Sequence, residues 1–453
     1  MALSIVILAA GAGKRMRSAH PKVLATLAGA PLLAHVLATA RALDPERIVI
    51  VYGHEGEALK VAFADADLLW ANQRERLGTA DALAAALPQL PQSGGVLVLC
   101  GDVPLLEAAT LAPLAAAAGR DEFAVLSARY PDPTGYGRIL RNASGEAVGI
   151  VEERDADADQ RAIAEVNTGV IAAPIERVRK WLPRIGNDNA QGEYYLTDML
   201  ALAASDGVSV KAIEAADAAA TRGINTRIEL AAAETELRRR RARALMEAGV
   251  TLADPARIDI HGTLVCGRDV SIDANAVFEG RVELADGVRI GAGVVIRDAV
   301  VGAGTEIRPY CVIAGAQIGE NAVIGPFARL RPGSVLAEET HIGNFVEVKN
   351  TKLGRGSKAN HLAYLGDAEI GERVNVGAGV ITCNYDGAEK HKTVIGDDAF
   401  IGSDCPLVAP VTIGAGATVG AGSTITEDVP AGTLALGRSR QTIVEGWERQ
   451  RKK

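Results

Sequence analysis

Every sixth residue from Ile395 to Ile425 is apolar: Ile395, Ile401, Leu407, Ile413, Val419 and Ile425. Short polar or small segments separate them, as in Ile413-Gly-Ala-Gly-Ala-Thr and Val419-Gly-Ala-Gly-Ser-Thr. The same beat runs through Ile318, Ile324, Leu330, Leu336, Ile342 and Val348, and through Ile258, Leu264, Val270, Ala276 and Val282. A period of six fits neither an α-helix nor the simple alternation of a strand. It fits a parallel β-helix, in which each hexapeptide forms one side of a coil and its marker points inward. One coil cannot bury its own face, so stability requires stacked neighbours. Most of the C-terminal half is therefore expected to form a rod.

Composition agrees with tight corners and a small-residue core. The 49 glycines among 453 residues exceed the usual ~7%, and aromatic residues are only 4%. A net charge of −8 argues against a general binder of nucleic acid or of anionic membranes. No run approaches the roughly 18 apolar residues of a membrane span. The chain opens on a strand without a basic leader, which argues against a secretory signal. Five scattered cysteines, Cys100, Cys266, Cys311, Cys383 and Cys405, form no CxxC pair. Reduced thiols in a cytoplasmic protein are the expectation.

The N-terminal part follows a different rule. Strand signals at Ser4–Ala10, Arg47–Val51 and Val96–Cys100 alternate with helix signals at Pro31–Leu43 and Asp81–Leu87. Such alternation predicts a mostly parallel sheet with helices on both faces. Ligands bind beyond the carboxyl ends of its strands. The first strand runs into Leu8-Ala9-Ala10-Gly11-Ala-Gly13-Lys14-Arg15-Met16, then Pro21-Lys22-Val23-Leu24. Glycines let backbone N–H groups approach a phosphate. A Walker A loop would need glycine at Leu8 and Ser or Thr at Arg15, and a dinucleotide fingerprint would need glycine at Met16. Both readings fail. A bare tight turn stays open, but two cations, Arg15 and Lys22, favour a nucleotide.

The third strand ends in Gly101-Asp102-Val103-Pro104-Leu105, which places an acid where Mg²⁺ could sit beside phosphates. An Asx-turn or helix cap is the alternative. The amide of Gln73 and the hydroxyl of Thr79, beside Gly78, are suited to read a base or sugar. Further polar loops carry Gly137, Glu152, Asn167 and Asn225. From Arg227 to Gly249 an Ala, Glu, Arg and Leu helix ends on Gly249 as its C-terminal cap. Its arginines, Arg238–Arg241 and Arg243, lie among glutamates and read as solvated.

The rod breaks rhythm between Val376 and Ile395, where Thr382-Cys-Asn384-Tyr385-Asp-Gly-Ala-Glu-Lys-His-Lys-Thr393 carries polar groups. Insertions in solenoids map to one face, often the binding face. His361 and Tyr364 just before it are expected in a disturbed turn, with Arg331, Lys349 and Lys358 as nearby cations. His361 reads either as a structural hydrogen-bonding residue or as a base. Zinc held by His341, His361 and His391 is weighed against, because the close His pair of the γ-type carbonic anhydrases is missing.

In order, the motifs LAAGxGxRM, PKVL, LGTA, GDxPLL, GYGRI, GIVE and NTG resemble those of sugar-nucleotide pyrophosphorylases. Joined to the hexapeptide rod, the whole chain resembles the bifunctional N-acetylglucosamine-1-phosphate uridyltransferase/glucosamine-1-phosphate acetyltransferase family. The resemblance implies an α/β Rossmann-like nucleotidyltransferase domain (1–226), a linker helix (227–249) and a left-handed parallel β-helix of hexapeptide repeats with a C-terminal tail (250–453). It implies that Arg15 and Lys22 clamp phosphates and that Asp102 and Asn225 hold Mg²⁺. Leu8, Ala9, Ala10, Gly11, Gln73, Gly78, Thr79, Cys100 and Gly101 would surround UTP, with Gly137, Glu152 and Asn167 around the sugar. Cys100 stands where some relatives carry Tyr. In the rod, His361 would be the base. Arg331, Lys349, Tyr364 and Asn375 would hold glucosamine 1-phosphate, and Ala378, Asn384, Tyr385, Ser403, Ala421 and Arg438 would hold acetyl-CoA. The implied enzyme is a cytoplasmic homotrimer that makes UDP-N-acetylglucosamine for peptidoglycan and lipopolysaccharide precursors. A single-activity nucleotidyltransferase with a merely oligomerising rod and a non-enzymatic scaffold are the competing readings. The basic tail with Arg449, Arg451, Lys452 and Lys453 reads as solvated or as near the CoA phosphates.

Overall fold

The computed structural model describes residues 2–11, 13–53 and 56–450; Arg451, Lys452 and Lys453 lie outside them. The chain divides into two compact units, Met1–Leu237 and Arg238–Lys453.

The first unit is built on one sheet, in the spatial order Val210–Glu214, Phe123–Arg129, Glu165–Pro174, Gly95–Cys100, Leu3–Leu8, Arg47–Tyr52, Leu68–Asn72. Leu3–Leu8 pairs in parallel with Arg47–Tyr52 on one side and Gly95–Cys100 on the other. The chain therefore builds outward from its first strand, then returns to the opposite side. The crevice between the ends of Leu8 and Cys100 is the switch point at which open α/β sheets bind ligands. Glu165–Pro174 runs antiparallel to both neighbours. The strands are buried apolar runs such as Ile5, Val6 and Ile7, covered by helices including Leu32–Arg41, Thr79–Ala86 and Ala108–Ala118.

The helix Arg227–Glu247 starts with a capping box. Glu229 accepts from the backbone N–H of Thr226 and, in turn, donates its own N–H to Thr226 Oγ1. It ends as the sequence predicts: Gly249 takes φ +94° and donates to Met246 O. The solvated reading of its arginines is only partly right. Arg238 Nε donates to Asp259 Oδ1 at 2.7 Å, and Arg241 donates to Ile260 O, so these long side chains tie the helix to the strand Ile258–Cys266.

The second unit is a left-handed parallel β-helix with three faces. One face is an 11-stranded ladder, and two more join at long strands that turn a corner, such as Ala276–Leu284 and Val295–Val301. Along the first face the register climbs from Glu306 to Val323, His341, Lys358 and Asn375, 17 or 18 residues per coil, or three hexapeptides. The markers of the two clean runs, from Ile318 to Val348 and from Ile395 to Ile425, are all within 5% of full burial. Burying such a side chain is worth about 1.5–3 kcal/mol, so the six-residue beat is itself the core. The next partner of Asn375 is Phe400, 25 positions on. The extra residues are the Asn384–Thr393 loop.

One expectation needs correction. Lys358–His361 and Tyr364–Gly366 are regular strands on either side of Leu362. The turn is an ordinary corner, with Leu362 at φ +49° much as Phe345 is at +57° one coil earlier. The insertion begins a coil later.

Candidate functional sites

In the first unit the switch-point crevice opens as a cleft of about 330 Å³ lined by Leu8, Ala9, Ala10, Gly11, Lys22, Gln73, Gly78, Thr79, Cys100 and Asp102, together with Arg76 and Glu193. Five chain segments, at 8–11, 22–23, 73–82, 100–102 and 193, thus meet where the strand order reverses. A Cβ on Gly11 would meet nothing within 4 Å. The protein's own packing does not demand that glycine, and the space over it is open to a ligand. Gly78 is different: it takes φ +125°, and a Cβ there would fall 2.4 Å from Tyr194 O. Only glycine lets this loop close on its neighbour. Gln73 spends both amide hydrogens, on Gly78 O at 3.0 Å and Asp81 Oδ2 at 2.9 Å. Its carbonyl oxygen is left as an acceptor for an N–H of a base.

An adjoining hollow of about 240 Å³ shares Leu8, Thr79 and Cys100 and adds Gly137, Glu152 and Asn167. Glu152 is steadied by the Thr197 hydroxyl at 3.1 Å, and desolvation pushes its carboxyl above the usual range. Asn167 donates its N–H to Gly137 O and accepts from Gly169 N–H. Burial pushes the Cys100 thiol up to about 12, so it meets a ligand as a neutral group and not as a thiolate nucleophile.

The most telling geometry is at the mouth of this crevice. Lys22 Nζ contacts Asp102 Oδ2 and lies 2.9 Å from Asn225 Oδ1. Three distant segments therefore aim two oxygens at one cation. Gly101 N–H donates to Leu8 O, and Asp102 O accepts from Ile224 N–H. Asn225 is positioned by Glu229, which accepts its N–H at 2.6 Å. One carboxylate and one amide oxygen are hard donors of the kind Mg²⁺ takes when phosphates complete its shell, so the residues present fit that ion. Among the described residues no cluster of three or more His, Cys, Asp or Glu is arranged to hold a metal. Arg15 is exposed on the short turn Lys14–Met16.

In the second unit the structure separates the predicted residues into two groups. His361 ends its strand in register with Asn344 one coil below, and its Nδ1 is 2.8 Å from Asn344 Oδ1. An amide oxygen accepts, so Nδ1 carries the proton and Nε2 presents a lone pair. Ala378 follows on the next coil, since Lys358 and Asn375 are in register. Ser403 and Ala421 continue the column: Asp404 N–H donates to Ala378 O and Gly422 N–H to Ser403 O. Arg438 closes it, with Cδ 4.0 Å from where a Cβ on Gly422 would be. The result is an exposed edge of small residues running away from the histidine.

The other group is cationic. Arg331 Nη1 bonds Glu347 Oε1 at 2.8 Å, and Lys349, one coil on, is 3.5 Å from Asp367. Lys349 faces a hollow of about 830 Å³ that also holds Asp367, Lys390 and His391. The Lys349 ammonium pushes the Lys390 amine below its ordinary range. Asn384 is buried against Asp367 and Tyr385 bonds Gly387 O, so both stand on the inserted loop. Tyr364 lies in the strand Tyr364–Gly366 and Asn375 in Asn375–Val376, with the strand Ala368–Ile370 between them. Sequence reasoning missed Asn344, Lys390 and Arg76. Asn344 was discoverable, because it stands one 17-residue coil before His361.

Residues 5–170 match the MobA-like NTP transferase domain family, 260–355 the GMPPB C-terminal domain, and 392–427 the bacterial transferase hexapeptide repeat. Curated relatives match along the entire chain. "Bifunctional protein GlmU" of Methylibium petroleiphilum is 57% identical, covering 100% of both chains. That of Aromatoleum aromaticum is 55% identical over 100% of this chain and 99% of its own. That of Ralstonia nicotianae is 56% identical over 99% and 98%.

Proposed function

The chain belongs to the bifunctional GlmU family, and from that membership we propose that it carries out two transfers in sequence. Acetyl-CoA first acetylates the amine of glucosamine 1-phosphate in the rod. UTP then donates a uridylyl group to N-acetylglucosamine 1-phosphate in the N-terminal unit, yielding UDP-N-acetylglucosamine and pyrophosphate. The domains are read as 1–226, 227–249 and 250–453.

For uridylyl transfer the sugar phosphate oxygen attacks the α-phosphorus of UTP while the bond to pyrophosphate breaks. Nothing covalent passes through the protein, so its contribution is alignment and charge. Gln73, Gly78 and Thr79 hold the uridine, and Gly137, Glu152 and Asn167 hold the sugar. Arg15 and Lys22 neutralise the phosphates. Asp102 and Asn225 would hold Mg²⁺, which when bound offsets the negative charge gathering on the leaving pyrophosphate.

For acetyl transfer His361 Nε2 takes a proton from the sugar amine as its nitrogen attacks the thioester carbonyl, and CoA leaves as the thiol. Arg331 and Lys349 grip the substrate phosphate, with Tyr364 and Asn375 on the sugar. CoA lies along Ala378, Ser403 and Ala421, reaching Arg438 and the loop with Asn384 and Tyr385. The observation that carries the two-site reading is the column itself. A passive rod has no use for a histidine with one nitrogen pinned by Asn344 and a smooth edge above it. The direct test is to supply glucosamine 1-phosphate, acetyl-CoA and UTP with Mg²⁺ and identify the products by mass. UDP-N-acetylglucosamine is expected only with all three, and UDP-glucosamine as sole product would overturn acetylation in the rod.

The reading extends to a cytoplasmic homotrimer that feeds peptidoglycan and lipopolysaccharide precursors. Among the described residues no helix is long and apolar enough to cross a membrane. Support for the trimer comes from one corner of the rod. Tyr310, Phe327 and Phe345 stack at 5.2 and 5.4 Å with near-parallel rings, and Leu362 continues the line. All four are at least 47% exposed, an apolar ladder of the kind that marks an interface. The double change Phe327→Asp and Phe345→Asp is expected to lower the mass seen by light scattering to one chain and to cut acetyl transfer more than uridylyl transfer. An unchanged mass would place the interface elsewhere.

A further inference from the structure

Lys22 reaches its position by a demanding route. A Cβ on Gly13, which has φ +56°, would stand 2.8 Å from Lys22 Cβ, so the loop turns sharply to let the lysine pass. Its ammonium then reaches Asp102, 80 residues later, and Asn225, 203 residues later. The Lys22 and Asp102 side chains are 11% and 20% exposed. This is a partly desolvated ion pair in which both oxygens proposed for Mg²⁺ already serve a cation. Two cations cannot share them, because like charges at contact repel strongly where water is scarce. A displaced lysine in turn needs a new anion, and the cleft of Leu8–Gly11 in which it stands is the one proposed for the triphosphate.

We infer that Lys22 is a displaceable internal counter-cation: it occupies the Asp102–Asn225 oxygens in the free enzyme and releases them when a nucleotide polyphosphate takes its ammonium. Divalent cation and nucleotide then bind as a coupled pair, and the free enzyme holds the ion poorly. The inference rests on the assignment of Asp102 and Asn225 as metal ligands. Coupling of this kind is reciprocal and typically ~5–150-fold.

The test counts free Mn²⁺ by electron paramagnetic resonance during titration of the full chain. In the absence of nucleotide, Lys22→Met is expected to bind Mn²⁺ about tenfold more tightly than the wild type. Lys22→Arg, which keeps the charge, should stay as weak as the wild type. Folded Lys22→Met that binds no better than wild type overturns the inference. Lys22→Gln serves as the second neutral variant, with circular dichroism as the fold control for each. The nucleotide-free arms decide, since UTP itself binds Mn²⁺. Asp102→Asn separates the two levels of the argument. If it removes the Mn²⁺ binding that the wild type shows without nucleotide while Lys22→Met fails to tighten it, only the exchange is wrong. If it leaves Mn²⁺ binding to Lys22→Met untouched, the ligand assignment itself is wrong.

Discussion

Replacing His361 by alanine is expected to lower acetyl transfer from acetyl-CoA by about 10²–10⁴-fold, the usual worth of a positioned general base, and to leave uridylyl transfer at its full rate. The side chain is exposed, and its contact among the described residues is the bond to Asn344, so removing it creates no cavity in the coil. The backbone ladder that carries position 361 runs through Asn344 and Ala359 whatever the side chain. Stability therefore has little reason to change, and a loss of rate reports chemistry. Asn344→Ala separates positioning from basicity: it leaves the imidazole but frees its ring to turn, so kcat should fall while the substrate KM stays close to normal. Measuring both activities on one purified sample checks the claim. Loss of both in a folded His361→Ala protein would mean that the two units do not house separate reactions.

How much of this was legible beforehand depended on the distance over which residues signal each other. The inward markers of the rod repeat every six residues because each pays for its own burial against the coil above, so a one-dimensional period reports them directly. The strands at Leu3–Leu8 and Gly95–Cys100 announced themselves in the same way, as short apolar runs ending in glycine. Pairings across long separations left no such trace. Nothing local links Lys22 to Asn225, and their contact exists only because the sheet folds the chain back to its switch point. The corner at Leu362 looked disturbed because polar residues crowd it, yet it is regular, since exposed corner positions tolerate any side chain that accepts a positive φ. Arg241 was read as solvated because its sequence neighbours are charged, whereas its guanidinium reaches Ile260 O. Long side chains choose partners by tertiary reach, which composition does not encode.

Asp102→Asn is expected to reverse the pattern of the His361 variant, with uridylyl transfer falling by roughly 10²–10³-fold, the range seen when one electrostatic stabiliser is lost, and acetyl transfer unaffected. Asparagine matches aspartate in size, and the backbone bonds that hold this turn, from Val103 N–H to Cys100 O and from Ile224 N–H to Asp102 O, do not involve the carboxylate. What disappears is one negative charge beside Lys22 and one oxygen of full charge for Mg²⁺. Chelation should mimic the substitution, because Mg²⁺ is proposed only for the Asp102–Asn225 site, while His361 is oriented by the Asn344 amide. An acetyl transfer that survives chelation while uridylyl transfer stops therefore tests both units at once. Acetyl transfer that also stopped would overturn the metal-free reading of His361. The two treatments differ in one respect that makes the comparison sharp: restoring Mg²⁺ rescues the chelated wild type fully, whereas excess Mg²⁺ rescues Asp102→Asn only in part. The ion can be resupplied, but the charge that shares the site with Lys22 cannot.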